Sequence, residues 1–486
     1  MKRMLQLVLA MGVLFGQTYD YQKLSKIIQN DDQVAKDLAH LCDFIGGRPT
    51  GSEANLASID WTYGKFQEYG VSVSKQAFEM PGFWLERSSK AKITGDLNFT
   101  PKVTALSFST RSNIAKKYPL LDGGRGEKQD FSRLGSRAGG AIIIIETNEL
   151  VNIDGLFKEY SDAAKIEALA YEAGVAGVVY MSSRPKKLLY RHNASRAYEN
   201  TLPMLVMARE DGKRCLRTLR NKKSGQLFIQ MDIKVKNKGD QTSYNVIGEI
   251  RGSEKPDEIV VIGSHLDSWG MGTGANDNGC NVVLMMTIAK HFVQLGITPK
   301  RTVRLALWNG EEQGFFGSLA YTQQYQKTMD DHVVALSVDI GSGAINGFFT
   351  GGRPDVLQAT DKVVNMFKEL GPFINIDVPI VGTDNFDFMM EGVPNLVASH
   401  EEYNYALNYH AESDTYDKVD IEQLKKNIVI VSALALEYAN DLSIKLNRQN
   451  RSEIETLIAN TDLEDQMRAM MTVWDEWITG KRGRQK

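Results

Sequence analysis

The sequence predicts an α/β fold in which a mostly parallel, mixed sheet is flanked by helices and carries an inserted small β-rich α+β domain. From Tyr244 onwards, short apolar runs alternate with long helix-like segments, as expected for consecutive βαβ units. Between Leu227 and Val235, apolar residues occupy every second position, which is typical of a half-exposed strand. Histidine and carboxylate residues follow two of the apolar runs. We therefore expect a functional site at the carboxyl edge of the main sheet.

Length, charge and cysteine content are those of a globular protein with several domains. The chain of 486 residues is long enough for two or three domains, and its charged fraction of 24% is ordinary. A net charge of -3 argues against a protein that binds nucleic acid electrostatically. The three cysteines, Cys42, Cys215 and Cys280, are far apart and odd in number, so the sequence predicts no disulfide framework.

The N-terminus has the pattern of a secretory signal peptide. A basic start at residues 1–3 precedes an apolar run at 4–15, which is too short to span a bilayer. We predict a signal peptide over residues 1–17 and hence a secreted or periplasmic protein. The alternative is an apolar first helix of the fold. Because no later stretch reaches the roughly 18 apolar residues of a membrane span, we expect no transmembrane helix.

Residues 18–112 are predicted to form the N-terminal part of the main domain. Residues 31–45 are helix-like, and a turn-forming cluster at 46–51 ends this helix. Apolar residues at three- and four-residue spacing predict an amphipathic helix over 56–66. Alternating apolar positions from Val71 then predict an edge strand.

Residues 113–238 have a different pattern of apolar and polar residues and are predicted to form the inserted domain. Apolar runs typical of strands occur at 141–145, 178–181 and 202–207, and a helix-like segment lies at 163–173. A polar linker at 236–243 marks the predicted domain boundary.

Residues 239–445 are predicted to complete the main domain. The predicted strands are 244–250, 259–264, 301–308 and 333–340, and the predicted helices are 277–295, 314–326, 353–368 and 420–440. Because strands alternate with helices, we expect a mostly parallel sheet with helices on both faces. The last segment, 446–486, is interpreted as a charged, helix-prone extension with a solvated basic tail at 481–486.

His265 and Asp267 are the first candidate site residues, because they follow the apolar run 259–264 directly. Side chains alternate along a strand, so both lie on one face of the strand end. A histidine that binds a metal usually has its other ring nitrogen held by a carboxylate or a carbonyl group. Asp267 is the candidate for this orienting role, through its carboxylate or through backbone geometry. Taken alone, such a pair is more often structural.

Asp277 is a second candidate, because the glycine-rich loop 270–276 before it is flexible enough to bring a carboxylate close to an ion. The alternative role for Asp277 is to cap the following helix. Cys280 lies in the first turn of that helix, where the helix dipole would lower a thiol pKa. We favour the other interpretation, in which Cys280 is a small buried residue.

The pair Glu311 and Glu312 is the most diagnostic feature. Adjacent carboxylates that leave a buried strand repel each other unless a cation or a shared proton neutralises them. Near a metal, one carboxylate can bind the ion while its neighbour accepts a proton from an activated water molecule. A solvated acidic turn is the alternative, and the apolar run before the pair makes it less favoured.

Asp339 and His410 complete the candidate set. Asp339 closes the apolar run 333–340, again at the expected sheet edge, and His410 lies in a loop before the last long helix. His400 is the rival histidine, but Glu401 and Glu402 follow it, which is more typical of a solvated segment. We therefore favour His410.

These residues, in this order and spacing, resemble the co-catalytic zinc aminopeptidase and glutamate carboxypeptidase family. The motifs are His265-Leu-Asp267 with Asp277 after it, the Glu311-Glu312 pair, Asp339 and Tyr409-His410. Within the family the chain is most similar to the plasma glutamate carboxypeptidase branch. The segment 113–238 resembles a protease-associated domain.

The resemblance implies a zinc exopeptidase fold with two zinc ions per chain. His265 and Asp339 would bind one ion, Glu312 and His410 the other, and Asp277 would bridge the two. It also implies a cis peptide bond after Asp277.

The resemblance further implies a hydrolase that acts on dipeptides or short peptides, of the aminopeptidase, carboxypeptidase or dipeptidase type. Glu311 would be the general base and Asp267 would support His265. Relatives of this kind suggest a homodimer.

Two departures from the family pattern lie next to the ligands, at 278–281 and at Asn309-Gly310, and they bear on substrate preference more than on catalysis. A non-catalytic receptor or scaffold that kept the fold is a second hypothesis. A single-zinc acyltransferase related to glutaminyl cyclases is a third. Candidate pocket residues, for which turn formation is the alternative role, are Ser342, Thr383, Asp384 and Asn385.

Overall fold

A computed structural model describes residues 20–221 and 225–485 and shows two seven-stranded sheets with helices packed against them. The mixed α/β architecture confirms the predicted fold class. The predicted signal peptide at residues 1–17 lies outside the described residues. Among the helices that are described, none combines the length and the apolar character that crossing a bilayer requires.

The strands in chain order are β1 Ser72–Met80, β2 Phe83–Gly95, β3 Val103–Ala105, β4 Tyr118–Asp122, β5 Ile142–Ile145, β6 Gly177–Met181, β7 Met204–Met207, β8 Leu227–Lys238, β9 Gln241–Ile250, β10 Lys255–His265, β11 Arg301–Trp308, β12 His332–Ser337, β13 Ile345–Phe349 and β14 Asn395–His400. The α-helices are α1 Tyr21–Gln29, α2 Gln33–Ala39, α3 Glu53–Glu68, α4 Lys128–Leu134, α5 Ile153–Glu172, α6 Arg209–Leu219, α7 Cys280–Gln294, α8 Phe316–Gln324, α9 Pro354–Asn365, α10 Asn385–Met390, α11 Tyr405–Asn408, α12 Ile421–Asn440, α13 Arg451–Asn460, α14 Leu463–Ala469 and α15 Val473–Ile478.

The first sheet has the strand order β1-β9-β11-β10-β12-β14-β13, and its centre is parallel. Strand β10 runs parallel to β11 and β12, and β12 runs parallel to β14. All residues of β11 are buried, which explains why its second half, 305–308, is continuously apolar in the sequence. Helices α7 and α12 contribute to the core that covers β10 and β11. The carboxyl ends of β10, β11 and β12 therefore meet at one edge.

Most predicted elements are present with shifted ends. The helix predicted to start at residue 277 starts at Cys280, because Asp277 and Asn278 have non-helical backbone angles. The helix predicted at 31–45 is α2 followed by a π-helical segment, His40–Ile45. Helix α1 before it was not predicted.

The second sheet has the order β2-β8-β4-β5-β6-β7-β3, with parallel pairing from β4 to β7. It begins at Phe83, because β2 pairs with β8 along its whole length, from Phe83 opposite Lys238 to Gly95 opposite Leu227. A pairing between segments so far apart in the chain has no local sequence signal. We propose that the inserted unit comprises residues 83–238 rather than 113–238.

The polar segment at 236–243 is not a linker. Strand β8 continues to Lys238 and β9 begins at Gln241, so only residues 239 and 240 separate strands of different sheets. This segment resembles a linker in the sequence because Lys236 and Asn237, although they belong to a strand, have exposed polar side chains. The predicted boundary between 238 and 239 falls at this two-residue connection.

Charge is distributed unevenly between the two units. The inserted unit, 83–238, contains 28 Lys and Arg and 16 Asp and Glu, a net charge of +12. The remaining residues contain 29 Lys and Arg and 44 Asp and Glu, a net charge of -15. The small net charge of the whole chain is thus the sum of two large charges of opposite sign.

The C-terminal extension packs against the main domain. Helices α13, α14 and α15 share a buried apolar cluster with Phe386 and Met389 of α10. The basic tail is not a solvated end, because Arg482 is 1% exposed. Its guanidinium donates to Asp387 Oδ1 at 2.7 Å, to Glu476 Oε2 at 2.8 Å and to the Gly314 carbonyl at 2.9 Å. Asp387 and Gly314 lie more than 90 residues before Arg482 in the sequence, whereas Glu476 is close to it.

The three cysteines are buried and free. Burial raises the pKa of the Cys280 thiol well above its ordinary value. This agrees with the interpretation of Cys280 as a small buried residue and disagrees with an activated thiol.

We predict that Arg482→Met lowers the free energy of unfolding by about 3–5 kcal/mol, because it leaves Asp387 buried without its cationic partner. Chemical denaturation monitored by intrinsic fluorescence measures this change. Lys481→Met is the matched control, because Lys481 is adjacent and exposed. Equal midpoints for the two variants would show that the buried ion pair does not hold the tail.

Candidate metal centre

The fold brings the predicted site residues to the carboxyl edge of the first sheet. His265 is the last residue of β10, and Asp339 lies two residues after β12. Glu311 and Glu312 follow β11 after a short turn. Neighbouring parallel strands end at the same edge, which is where open α/β sheets bind ligands. The strand pattern seen in the sequence thus accounts for these four positions.

Two further residues reach this edge from loops. Asp277 lies in the segment before α7, and His410 follows α11. Asp277 does not cap α7, because two residues separate it from Cys280, the first residue of that helix, and Gly279 occupies the N-cap position. The peptide bond between Asp277 and Asn278 is cis, as predicted.

The five predicted ligands form two groups of three that share Asp277. In the first group, His265 Nε2 lies 3.1 Å from Asp277 Oδ1 and 2.9 Å from Asp339 Oδ1. In the second group, His410 Nε2 lies 3.3 Å from Asp277 Oδ2 and 2.7 Å from Glu312 Oε2. Within each group the candidate ligand atoms all lie within 4.8 Å of one another. The two carboxylate oxygens of Asp277 therefore face different groups.

All of these side chains are buried. Relative exposure is between 1% for His265 and 8% for Glu311. Asp277 Oδ2 is buried, and within the described residues its contact with His410 Nε2 is a long one of 3.3 Å. A buried carboxylate oxygen is costly unless a cation or a protonated group lies beside it. The mixed nitrogen and oxygen donors of both groups suit zinc.

The carboxylates of the centre have strongly shifted pKa values. Burial raises the pKa of Glu312 to about 7 and raises the pKa of Glu311 well above its ordinary range. For Asp277, burial acts in the same direction, but hydrogen bonds with His265 and His410 outweigh it and lower the pKa. The two histidines thus favour the ionised form of Asp277, whereas burial favours the protonated forms of Glu311 and Glu312.

The two histidines show the opposite shift. Burial alone lowers an imidazole pKa, but the Glu312 and Asp277 carboxylates together outweigh it and raise the pKa of His410 to about 9. The carboxylates of Asp339 and Glu311 likewise raise the pKa of His265 well above its ordinary value. The two protonated imidazoles thus provide positive charge next to the carboxylates, where bound metal cations would also provide it.

Asp267 supports His265 through its backbone. His265 Nδ1 lies 2.9 Å from the Asp267 carbonyl oxygen and 3.7 Å from the carboxylate. The carboxylate instead accepts a hydrogen bond of 2.6 Å from Thr50 Oγ1 and one of 3.4 Å from the Glu311 amide. The carbonyl therefore fixes the ring of His265, and the carboxylate fixes the backbone at Glu311.

Arg48 and Asp414 are two supporting residues that the sequence did not reveal. The Arg48 side chain is fully buried and donates to the carbonyl groups of Gly46, Leu266, Thr273 and Gly274. The Asp414 carboxylate accepts from the amides of Asn276, at 2.8 Å, and Asp277, at 3.2 Å. The turn cluster at 46–51 is therefore an anchor for the loop that carries Asp277.

Gly47 shows how tightly the two segments approach each other. A Cβ atom at Gly47 would lie 2.7 Å from the Gly272 carbonyl oxygen and 2.8 Å from Gly270 Cα. Both contacts are with backbone atoms, which have little room to move. Only glycine fits at this position.

The candidate pocket residues divide into two kinds. Ser342 donates to Asn276 Oδ1 at 3.1 Å, and Asn385 donates to Asn395 Oδ1 at 3.0 Å, so both have structural contacts. The hydroxyl of Thr383 contacts that of Ser337. Asp384 differs, because it is 1% exposed and, within the described chain, neither carboxylate oxygen accepts a hydrogen bond.

His400 belongs to neither group. Burial lowers the pKa of His400 to about 4, and its two ring nitrogens have no hydrogen-bond partner within the described residues. The structure therefore brings His410, and not His400, to the other candidate ligands.

Residues 245–435, which carry all of these ligands, match the model of peptidase family M28. The part of the chain that carries the candidate ligands is therefore similar to this family. Among curated relatives, carboxypeptidase Q of Xenopus laevis is 27% identical over 387 residues, which cover 78% of this chain and 80% of the relative. Human carboxypeptidase Q is 25% identical over 397 residues, which cover 80% of this chain and 81% of the relative.

Two solved structures of peptidases have a fold similar to that of this chain. A peptidase M28 precursor from Shewanella amazonensis superposes with a TM-score of 0.80 at 26% identity, covering 88% of this chain and 98% of that structure. BSAP, a zinc aminopeptidase from Bacillus subtilis, superposes with a TM-score of 0.65 at 20% identity, covering 85% of this chain and 96% of that structure. At this identity the second likeness concerns the fold alone.

We predict that Arg48→Met destabilises the chain by about 3 kcal/mol or more, because several buried carbonyl groups lose their donor at about 1–3 kcal/mol each. Denaturation midpoints measure the loss. Arg251→Met, at an exposed position of the same domain, is the control. If the Arg48 variant is as stable as this control, Arg48 is not the anchor of the ligand loop.

Proposed function

We propose that this chain is a zinc-dependent exopeptidase that removes a terminal residue from dipeptides or short peptides by means of an activated water molecule. The observation that carries this proposal is the pair of three-residue groups that share Asp277. The match of residues 245–435 to peptidase family M28 and the similarity to carboxypeptidase Q relatives support the same reaction class.

The donor set fits two zinc ions. We infer that His265 and Asp339 would hold one ion and that Glu312 and His410 would hold the other, with Asp277, which lies beside both histidines, available to both. Three ligand carboxylates offset three of the four positive charges of two divalent ions. When bound, the ions would acidify a water molecule and polarise the scissile carbonyl.

Glu311 is the residue we assign as general base. Glu311 lies in neither group of candidate ligands, yet it is buried next to Glu312. Burial raises the pKa of Glu311, the nearby His265 lowers it, and the charge of Asp339 raises it further. Its backbone is fixed by the hydrogen bond to Asp267. A carboxylate placed in this way can take a proton from the attacking water and pass it to the leaving amine. Asp267 is thus a positioning residue for both His265 and Glu311.

The surroundings of the centre exclude bulk water. His410 stacks on Tyr409 with ring centroids 3.7 Å apart, and Trp269 contacts the same imidazole edge-on at 6.4 Å. A cavity of about 10 Å³ lies between Trp269, Asp277, Glu312, His410 and Asp414, which is the space of about one water molecule. A dry site strengthens the electrostatic interactions on which hydrolysis depends.

The two alternative functions fit these observations less well. A non-catalytic receptor has no need for all five ligands and a buried Glu311, which are present together. A single-zinc acyltransferase uses one group of ligands, whereas the geometry offers two. The signal peptide with a secreted or periplasmic location, the protease-associated character of the inserted unit and a homodimer stay predictions.

We predict that Glu311→Gln lowers kcat by about 10²–10⁴-fold, because only the proton acceptor is removed. Zinc content and fold are expected to be unchanged. Hydrolysis of dipeptides, with zinc determined by mass spectrometry, tests this. Glu401→Gln is the control, because Glu401 is exposed. Full turnover by the Glu311 variant would overturn the assignment of the base.

We predict that a chelator abolishes hydrolysis and that added zinc restores it. The assay uses a panel of dipeptides with free, amino-blocked or carboxyl-blocked ends, which also identifies the end that is recognised. Mg²⁺ added in place of zinc is the control. Activity that survives complete removal of metal would contradict the proposed function.

A further inference from the structure

We propose that residues 189–193 of the inserted unit position Glu312 and His410, so that metal binding by this half of the centre depends on contact between the inserted unit and the main domain. The inference rests on the proposed function, and it concerns how that site is assembled. Neither the sequence patterns nor the M28 match, which begins at residue 245, assigns a role to this segment.

The first support is a strand-like contact between the segment and the residues around His410. The Arg191 amide donates to the His410 carbonyl at 3.0 Å, and the Glu412 amide donates to the Leu189 carbonyl at 3.1 Å. Tyr190 and Ala411 form an antiparallel bridge between these hydrogen bonds. The backbone that carries His410 is therefore paired with the inserted unit.

The second support is the orientation of the imidazole. His410 Nδ1 lies 2.9 Å from the Arg191 carbonyl oxygen, to which it donates. This hydrogen bond directs Nε2 toward Glu312 and Asp277. Such a contact from the outer nitrogen fixes both the tautomer and the ring angle of a metal-binding histidine. The residue that supplies it here belongs to the inserted unit.

The third support is a direct contact with Glu312. Asn193 is 8% exposed, and its Nδ2 donates to the Glu312 carbonyl at 2.8 Å. From the other side, the Trp269 amide donates to Glu312 Oε1 at 3.2 Å. The inserted unit thus holds the backbone of Glu312, while the main domain holds its carboxylate.

Arg191 is fixed firmly enough to serve as a support. Its Nε donates to the Ala105 carbonyl at 3.1 Å, and its guanidinium pairs with Glu86. The guanidinium also lies 5.1 Å from the ring of Trp84 and 5.7 Å from that of Trp269. Because most of these partners belong to the inserted unit, the Arg191 carbonyl moves with that unit.

The other half of the centre has no such dependence. The ring of His265 is held by the Asp267 carbonyl, and Asp339 follows β12, so both supports lie in the main domain. In the described part of the chain, the hydrogen bonds found for these two side chains involve no residue of the inserted unit. The two metal sites should therefore respond differently to changes in 189–193.

The test uses the full chain with Asn193→Ala and, separately, Arg191→Met. Metal-free protein is titrated with zinc by calorimetry, and bound zinc is counted by mass spectrometry. We expect the wild type to bind two ions, and each variant to retain one site while the other weakens about 10–100-fold. Arg196→Ala is the matched control, because Arg196 is exposed on the same unit and its guanidinium stacks on Tyr171.

The outcomes separate this inference from the proposed function. A wild type that binds fewer than two zinc ions would contradict the proposed function. A wild type with two ions, together with variants that keep both sites or weaken both equally, would overturn the role of 189–193. Unfolding temperatures of the metal-free forms are measured in parallel. Asn193→Ala removes only a side-chain amide that donates to the Glu312 carbonyl and, at 3.7 Å, to Met471 Sδ, so it supports the inference if one site weakens even where Arg191→Met fails to fold.

Discussion

The need to neutralise buried carboxylates is the constraint on which this structure depends. Four acidic side chains lie close together, each of them at most 8% exposed, and they are Asp277, Glu311, Glu312 and Asp339. Carboxylates in such surroundings ionise only beside positive charge. Two imidazoles lie between them, and Asp277 is in contact with both. An arrangement that balances charge with imidazolium groups can balance it equally with divalent ions.

The fold meets this constraint in two ways. Parallel strands place three of the ligands at one sheet edge without further support, because strand direction alone decides where a strand ends. Loop residues need additional anchors. Asp277 depends on Arg48 and Asp414, and His410 depends on Arg191. The loop ligands are therefore the positions at which distant parts of the chain contribute to one centre.

The sequence allowed the fold class and the set of candidate ligands to be predicted, because both depend on local patterns. His265 ends one apolar run and Glu312 follows another after a short turn, and the structure places both at the same sheet edge. Arg48, Arg191 and Asn193 could not be found in this way, since their partners lie over 100 residues away. The start of the second sheet was misplaced for the same reason.

The uneven distribution of charge bears on how the two units stay together. The unit at 83–238 carries +12 and the rest of the chain -15, and Lys102 pairs with Glu412 where the two meet. Attraction of this kind extends over about 8 Å at physiological ionic strength and shortens to about 3 Å in molar salt. Low ionic strength therefore favours contact between the two units, whereas high salt weakens the electrostatic attraction between them.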